Sequence, residues 1–213
     1  MIYLIMQGQI YLAILLLIVI IISLTFHEFG HAFTAKKFGD DTAERMGRLT
    51  LNPVAHIDPM GLIMVAVIGF GYAKPVPTDP RNFTSRYASL WVSAAGPGMN
   101  LVLAIISVNL FVAAEKYQIG FLSGTGPMTF LQYMALINLL LMLFNLLPIG
   151  PLDGHYILPY FMSRDLAYKY LRWNDRYGSV ALLSLIALSI IGIPVFSYLM
   201  RAAGVIANYL VVI

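Results

Sequence analysis

Residues 10–26 carry no charged side chain, and the run ends at His27-Glu28-Phe29-Gly30-His31, ahead of the basic pair Lys36-Lys37. A stretch of this length and hydropathy predicts a membrane-spanning helix. Taken from about residue 9 to residue 37 it would be about 40 Å long at roughly 1.5 Å per residue, more than the hydrocarbon core requires. It lacks the basic start and small-residue cleavage site of a secretory signal, so a retained helix is expected. Glu28 then lies roughly 15 Å inside the basic end of the helix. An ionisable cluster at that depth is costly and generally functional.

Composition supports a lipid solvent: 60% of residues are hydrophobic, 11% are charged and the mean hydropathy is +0.81. The formal charge of +3 is small and scattered. No nucleic-acid partner is expected, and the lipid bilayer is. With no cysteine in the chain, a transition metal would have to be held by imidazole and carboxylate.

Further along, the alternation Arg48-Leu49-Thr50-Leu51 suggests a short strand. Residues 60–72 form an apolar, glycine-punctuated stretch too short for a helical span. A second span is drawn over 86–114, with Ser93, Ala94, Ala95, Gly96 and Gly98 permitting close helix approach and Pro97 bending it. A third runs over 127–147 and ends in the proline-rich Leu147-Pro148-Ile149-Gly150-Pro151-Leu152-Asp153-Gly154. After a polar segment, residues 179–213 make one span with an interfacial tail, or a tight hairpin. The expected fold is an all-α polytopic membrane protein with about four to five transmembrane helices. A short membrane-associated β-hairpin or re-entrant loop lies between the first and second, and residues 1–213 form one domain. Lys36, Lys37, Arg45, Arg48, Lys74, Arg81 and Arg86 fall between spans one and two, and Arg164, Lys169, Arg172 and Arg176 follow span three. Both loops should therefore face the cytoplasm, with the N-terminus outside.

On a helix His27 and His31 share a face and can offer two imidazoles to one Zn2+, with Glu28 beside the attacking water as general base. The alternative is a set of polar residues at a helix end, paired with neighbours or headgroups. Zinc needs a third protein ligand. Span three returns the chain to the same side of the membrane, and Asp153 is the acid that follows it. Read alone, Asp153 is equally a turn aspartate. Asn145, two helical turns earlier, could donate to a developing oxyanion or bond a neighbouring helix.

These elements resemble the site-2 protease family of intramembrane zinc metalloproteases. The resemblance is carried by His27-Glu28-x-x-His31, by Leu51-Asn52-Pro53-x-x-His56-x-Asp58-Pro59-x-Gly61 and by Ala95-Gly96-Pro97-x-x-Asn100. Asn145-Leu-Leu-Pro148-x-x-Pro151-Leu152-Asp153-Gly154 completes it, and the match runs over residues 24–155 in order. It implies His27, His31 and Asp153 as zinc ligands, Glu28 as catalytic acid and base, and Asn145 as oxyanion stabiliser. It also marks His56 and Asn100 as structural or substrate-aligning, while His155, adjacent to Asp153, is expected to support the site. The stretch from Gly69 through Gly71 and Tyr72 to Pro77 would be an edge that pairs with unwinding substrate, or a plain re-entrant loop. The substrate would be a single-span membrane protein, and the location a cell membrane with the site open to the cytoplasm. PDZ and CBS domains, carried by many relatives, have no counterpart, so a minimal form is expected. Two competing readings are a membrane protease with Glu44 or Glu115 as third ligand, and a non-proteolytic zinc-binding or transport protein.

Overall fold

The computed structural model describes residues 1–69 and 71–213. Phe70, which belongs to the expected edge stretch, lies outside the described residues.

After a single turn, α1 (Ile2–Met6), the chain enters α2 (Ile10–Lys37). Leu15, Val19, Ser23 and His27 recur every fourth residue and are buried, forming the inward stripe of an otherwise apolar helix. Leu15 and Val19 pack with Met134 and, around them, Leu103, Phe130 and Ile137. The short α3 (Thr42–Arg45) follows, and then α4 (Pro59–Ile68).

α4 departs from the sequence expectation, because no β-hairpin forms among the described residues. The Asp58 carboxylate accepts hydrogen bonds from Met60 N and Gly61 N at 2.9 Å, Pro59 opens the first turn, and Gly69 closes the helix at φ +85°. An aspartate cap, a proline at the first position and a left-handed glycine at the end specify a helix. The apolar residues between them simply fill it. At about 15 Å it is too short to cross a bilayer. The alternation at 48–51 finds no ladder partner either. β-pairing among the described residues is one isolated antiparallel bridge, Ile57 with Ala73.

α5 (Ala88–Tyr117) contains Pro97 without ending there, and crosses α2 with backbones almost touching. A Cβ on Gly30 would sit 2.6 Å from Met99 Cγ and 2.8 Å from the Ala95 carbonyl oxygen. Small residues let the two helices meet at this depth. α6 (Thr125–Asn145) returns alongside both.

Beyond α6 the prolines break the helix, and a turn through Gly150 at φ +63° leads into α7 (Asp153–Ile157). The polar and apolar halves expected to separate at about residue 178 are instead one helix, α8 (Arg164–Ile190). The break comes at Gly192, φ +108°, and Pro194, after which α9 (Val195–Tyr209) packs Ala203 against Ala104, Leu139 and Met142. Three helices among the described residues, α2, α5 and α6, are long and apolar enough to cross a membrane. The expected count of four to five is not reached by length and composition. α8 begins with a charged stretch and α9 has only 15 residues.

α8 serves the site instead. Its buried Asn174 takes a hydrogen bond from Gly150 N at 3.0 Å and donates to Gly150 O at 3.1 Å. Tyr170 Oη donates to the Pro148 carbonyl at 2.9 Å. The loop that delivers Asp153 is thus held by side chains, because its prolines cannot join a backbone ladder.

Candidate metal centre

Three side chains from two elements converge. His27 and His31 on α2 and Asp153 at the start of α7 each offer one ligand atom, and these atoms lie within 4.8 Å of one another. His27 Nε2 is 3.1 Å from His31 Nε2 and 3.2 Å from Asp153 Oδ2, and His31 Nε2 is 3.4 Å from Asp153 Oδ1. Tetrahedral ligands at zinc bond lengths of about 2.0–2.1 Å sit roughly 3.3 Å apart. The spacing therefore suits such an ion.

The protons point the same way. His31 Nδ1 is 2.7 Å from the Val92 carbonyl oxygen, which can only accept, so Nδ1 carries the hydrogen. His27 Nδ1 is 2.6 Å from Asn100 Oδ1. Asn100 Nδ2 donates to Asn138 Oδ1 at 2.8 Å and to the Ser23 carbonyl at 3.3 Å, which fixes its amide with the oxygen toward His27. In the neutral rings both Nε2 atoms are then lone-pair donors facing a carboxylate. Asp153 Oδ2 is buried without a hydrogen-bond partner among the described residues. With neutral rings the three converging acceptors repel one another, and a proton or a metal cation between them relieves it.

One wall of this space is bare backbone. A Cβ added to Gly96 would come within 2.6 Å of His27 Nε2 and closer still to His31 Nε2. The glycine that the sequence marks for helix approach also leaves room for the ligand atoms. Glu28, 8% exposed, is outside the trio. Its Oε2 accepts a 3.0 Å hydrogen bond from Val76 N, and no hydrogen bond to Oε1 is found among the described residues.

The other expected site residues take different places. Asn100 is fully buried and its side-chain oxygen orients His27. Asn145 Nδ2 donates to the Leu141 carbonyl one turn back at 3.0 Å, leaving Oδ1 and a second amide proton. His56 is buried, bonds the Thr50 carbonyl at 2.8 Å and lies 3.5 Å from Arg48 Nη2, so it braces a loop. His155 turns toward α8, 3.4 Å from Tyr170 Oη, and burial pulls its imidazole pKa down against the opposing Asp175 charge. Gly71 packs on Gly61 and Val65 of α4, where a Cβ would clash, while Tyr72 is half exposed. Asn138, Asn174, the burial of Arg48 and, within the Gly69–Pro77 stretch, the bond of Val76 to Glu28 are not among the expectations from sequence. A lone amide in an apolar span flags Asn138. Nothing local flags the other three.

Because Asn100 holds the tautomer of His27, Asn100→Ala is expected to weaken metal affinity by about 10–100-fold with little change in secondary structure. Competition with a chelator of known affinity measures it. An unchanged affinity would mean that Asn100 merely packs the helices.

Comparison with known proteins follows the same residues. The chain matches peptidase family M50 over residues 15–123 and 115–187. It is 44% identical over 173 residues to YwhC of Bacillus subtilis, provisionally named a zinc metalloprotease, covering 80% of this chain and 78% of that protein. It is 42% identical over 142 residues to Rip2 of Mycolicibacterium smegmatis, also provisionally named a zinc metalloprotease, covering 63% of this chain and 52% of that one. The zinc metalloprotease MJ0392 of Methanocaldococcus jannaschii is 28% identical over 164 residues, 77% of this chain and 39% of its own. No solved structure matches the chain.

Proposed function

This chain belongs to peptidase family M50 and is a multi-pass zinc metalloprotease, and we propose that it hydrolyses a peptide bond in or near the membrane-spanning segment of a single-span protein. The observation that carries this reading is the position of His27, His31 and Glu28 partway along α2, a helix long and apolar enough to span, with Asp153 brought to them by α7. A soluble substrate would have no reason to meet a site at that depth.

In this reading His27, His31 and Asp153 hold the ion. Zinc bound there supplies Lewis acidity for the scissile carbonyl and makes the attacking water easier to deprotonate. Glu28 takes the proton of that water on Oε1 and returns it to the leaving amine. Val76 N–H holds the other carboxylate oxygen still while this happens. Asn145, with an amide proton to spare, donates to the oxyanion. Cleavage of membrane-tethered regulators and clearance of leftover signal peptides both fit this chemistry.

The test is to purify the protein in detergent, incubate it with single-span membrane peptides and map the fragments by mass spectrometry. Cuts within or beside the apolar segment are expected. A zinc-loaded protein that cut only soluble flanks would overturn the intramembrane reading.

Orientation is part of the proposal, with the N-terminus outside and water reaching the centre from the cytoplasm. The chain has no cysteine, so Thr34→Cys, one turn beyond His31, provides a single thiol. It is expected to react with an impermeant maleimide added to inverted membrane vesicles. A thiol that reacted only from the opposite face would reverse the topology.

A further inference from the structure

Between α4 and α5 the chain runs past Glu28 as a strap without helix or strand, residues 71–79, apart from the single bridge at Ala73. Both ends are tied. Lys74 N donates to the His56 carbonyl at 2.8 Å beside the Ile57–Ala73 bridge, and Asp79 N donates to Asp40 Oδ2 at 2.7 Å. Asp40 is itself fully buried and also accepts from Thr42 N and Asn82 Nδ2. In the middle of the strap Pro75 and Pro77 have no N–H, so Val76 is the one backbone donor of the three. That donor meets Glu28 Oε2.

Arg48 lies beneath the same point. It is 5% exposed, and its Nη1 donates to the Pro75 carbonyl at 2.9 Å while Nη2 donates to the Lys74 carbonyl at 2.5 Å. No ion pair includes it among the described residues, and its Nε is buried without a partner there. A desolvated guanidinium with an orphaned nitrogen is a costly way to hold two carbonyls. Packing alone would favour an apolar side chain of the same volume. The fork geometry reaches two successive carbonyl oxygens at once, which an ammonium does not.

We infer that Arg48 is a positioning residue: it clamps the strap in the register where Val76 N–H fixes Glu28 Oε2, so that Oε1 alone faces the attacking water. This rests on the reading of Glu28 as general base. Arg48 makes no hydrogen bond to a metal ligand among the described residues; it holds two peptide groups of the strap and His56 Nδ1, and its charge is felt at Glu28. Releasing the clamp lets the carboxylate turn, and an error of about 1 Å in such a group costs on the order of 10²-fold in rate.

The experiment has a structural and a kinetic arm. For the first, Ala73→Cys is the only thiol in the protein, and its alkylation by maleimide is timed with Arg48 present and in an Arg48→Met background. The rate is expected to rise about tenfold or more when the clamp is removed. An unchanged rate overturns the inference whether or not the protein cleaves anything. For the second, Arg48→Met, Arg48→Lys, Val76→Pro and the Arg48→Met/Val76→Pro double variant are assayed on the single-span peptides, with zinc per chain and Tm recorded. Arg48→Met is expected to lower kcat on the order of 10²-fold, with KM within about twofold and zinc unchanged. Arg48→Lys should recover part of the loss. Val76→Pro deletes the donor while leaving Arg48 in place, so it speaks even if Arg48→Met folds poorly. It should lose about as much, and the double variant no more than either single one. Losses that multiply, or that follow zinc or Tm, would overturn the inference. A wild type that cleaves no peptide would count against the protease reading, and the thiol arm would still decide the clamp.

Discussion

Glu28→Gln is expected to bind as much zinc as the wild type and to lose cleavage by about 10²–10⁴-fold. The amide matches the carboxyl in shape and can still accept the Val76 hydrogen bond through its oxygen, so the strap has no cause to move. What it cannot do is take a proton from water. Glu28 is not among the three residues whose ligand atoms converge, and zinc per chain should stay level. Side-by-side metal analysis and peptide cleavage check both halves. Undiminished cleavage would remove Glu28 from the chemistry, and lost zinc would make it a ligand.

Asp153→Ala should do the opposite and strip the metal. Asp153 is the one carboxylate in the trio, and without it two imidazoles remain on a single helix face. Loss of a direct ligand should exceed the 10–100-fold seen for supporting residues, so affinity is expected to fall by more than about 100-fold. Because bound metal stabilises the folded state, a chelator should lower the Tm of the wild type and leave that of the variant unchanged. Zinc retained by Asp153→Ala would point to another acid. Glu44 is committed to an ion pair with Lys36, and Glu115 lies in the last turn of α5, so neither is placed to substitute.

The centre was legible because its information is local or topological. His27 and His31 declare themselves by a four-residue spacing on a helix, and Asp153 by the return of the third span. Of the two forms expected for residues 60–72, a β-hairpin or a re-entrant loop, no hairpin forms among the described residues: span length says nothing about the caps at Asp58, Pro59 and Gly69, which specify a helix. The split of α8 failed for a related reason. A shift from polar to apolar composition was read as a boundary, although no glycine or proline interrupts the helix between Arg164 and Ile190 except Gly178, which it absorbs. Arg48 counted as a loop cation in the sequence, and the fold buries it. Its partners lie 26 and 27 residues away, and the Val76–Glu28 contact spans 48, so no window of sequence contains either. Asn145 is intermediate: its place at the end of α6 was anticipated, while its recorded hydrogen bond goes to its own helix.

The order in which the chain leaves the ribosome gives the convergence of α2 and α7 a meaning in biosynthesis. α2 emerges early with two imidazoles and a carboxylate already on it, and at that stage nothing fixes either ring. Val92 and Asn100 come with α5, Asn138 with α6, and Asp153 only after α6 has turned the chain back. A half-made protein therefore offers an ion two freely rotating rings, a poor hold that metal buffers in the cell can outcompete. The ligand set is complete only once α7 has followed α6, so the centre is assembled only after all three long apolar helices have been made.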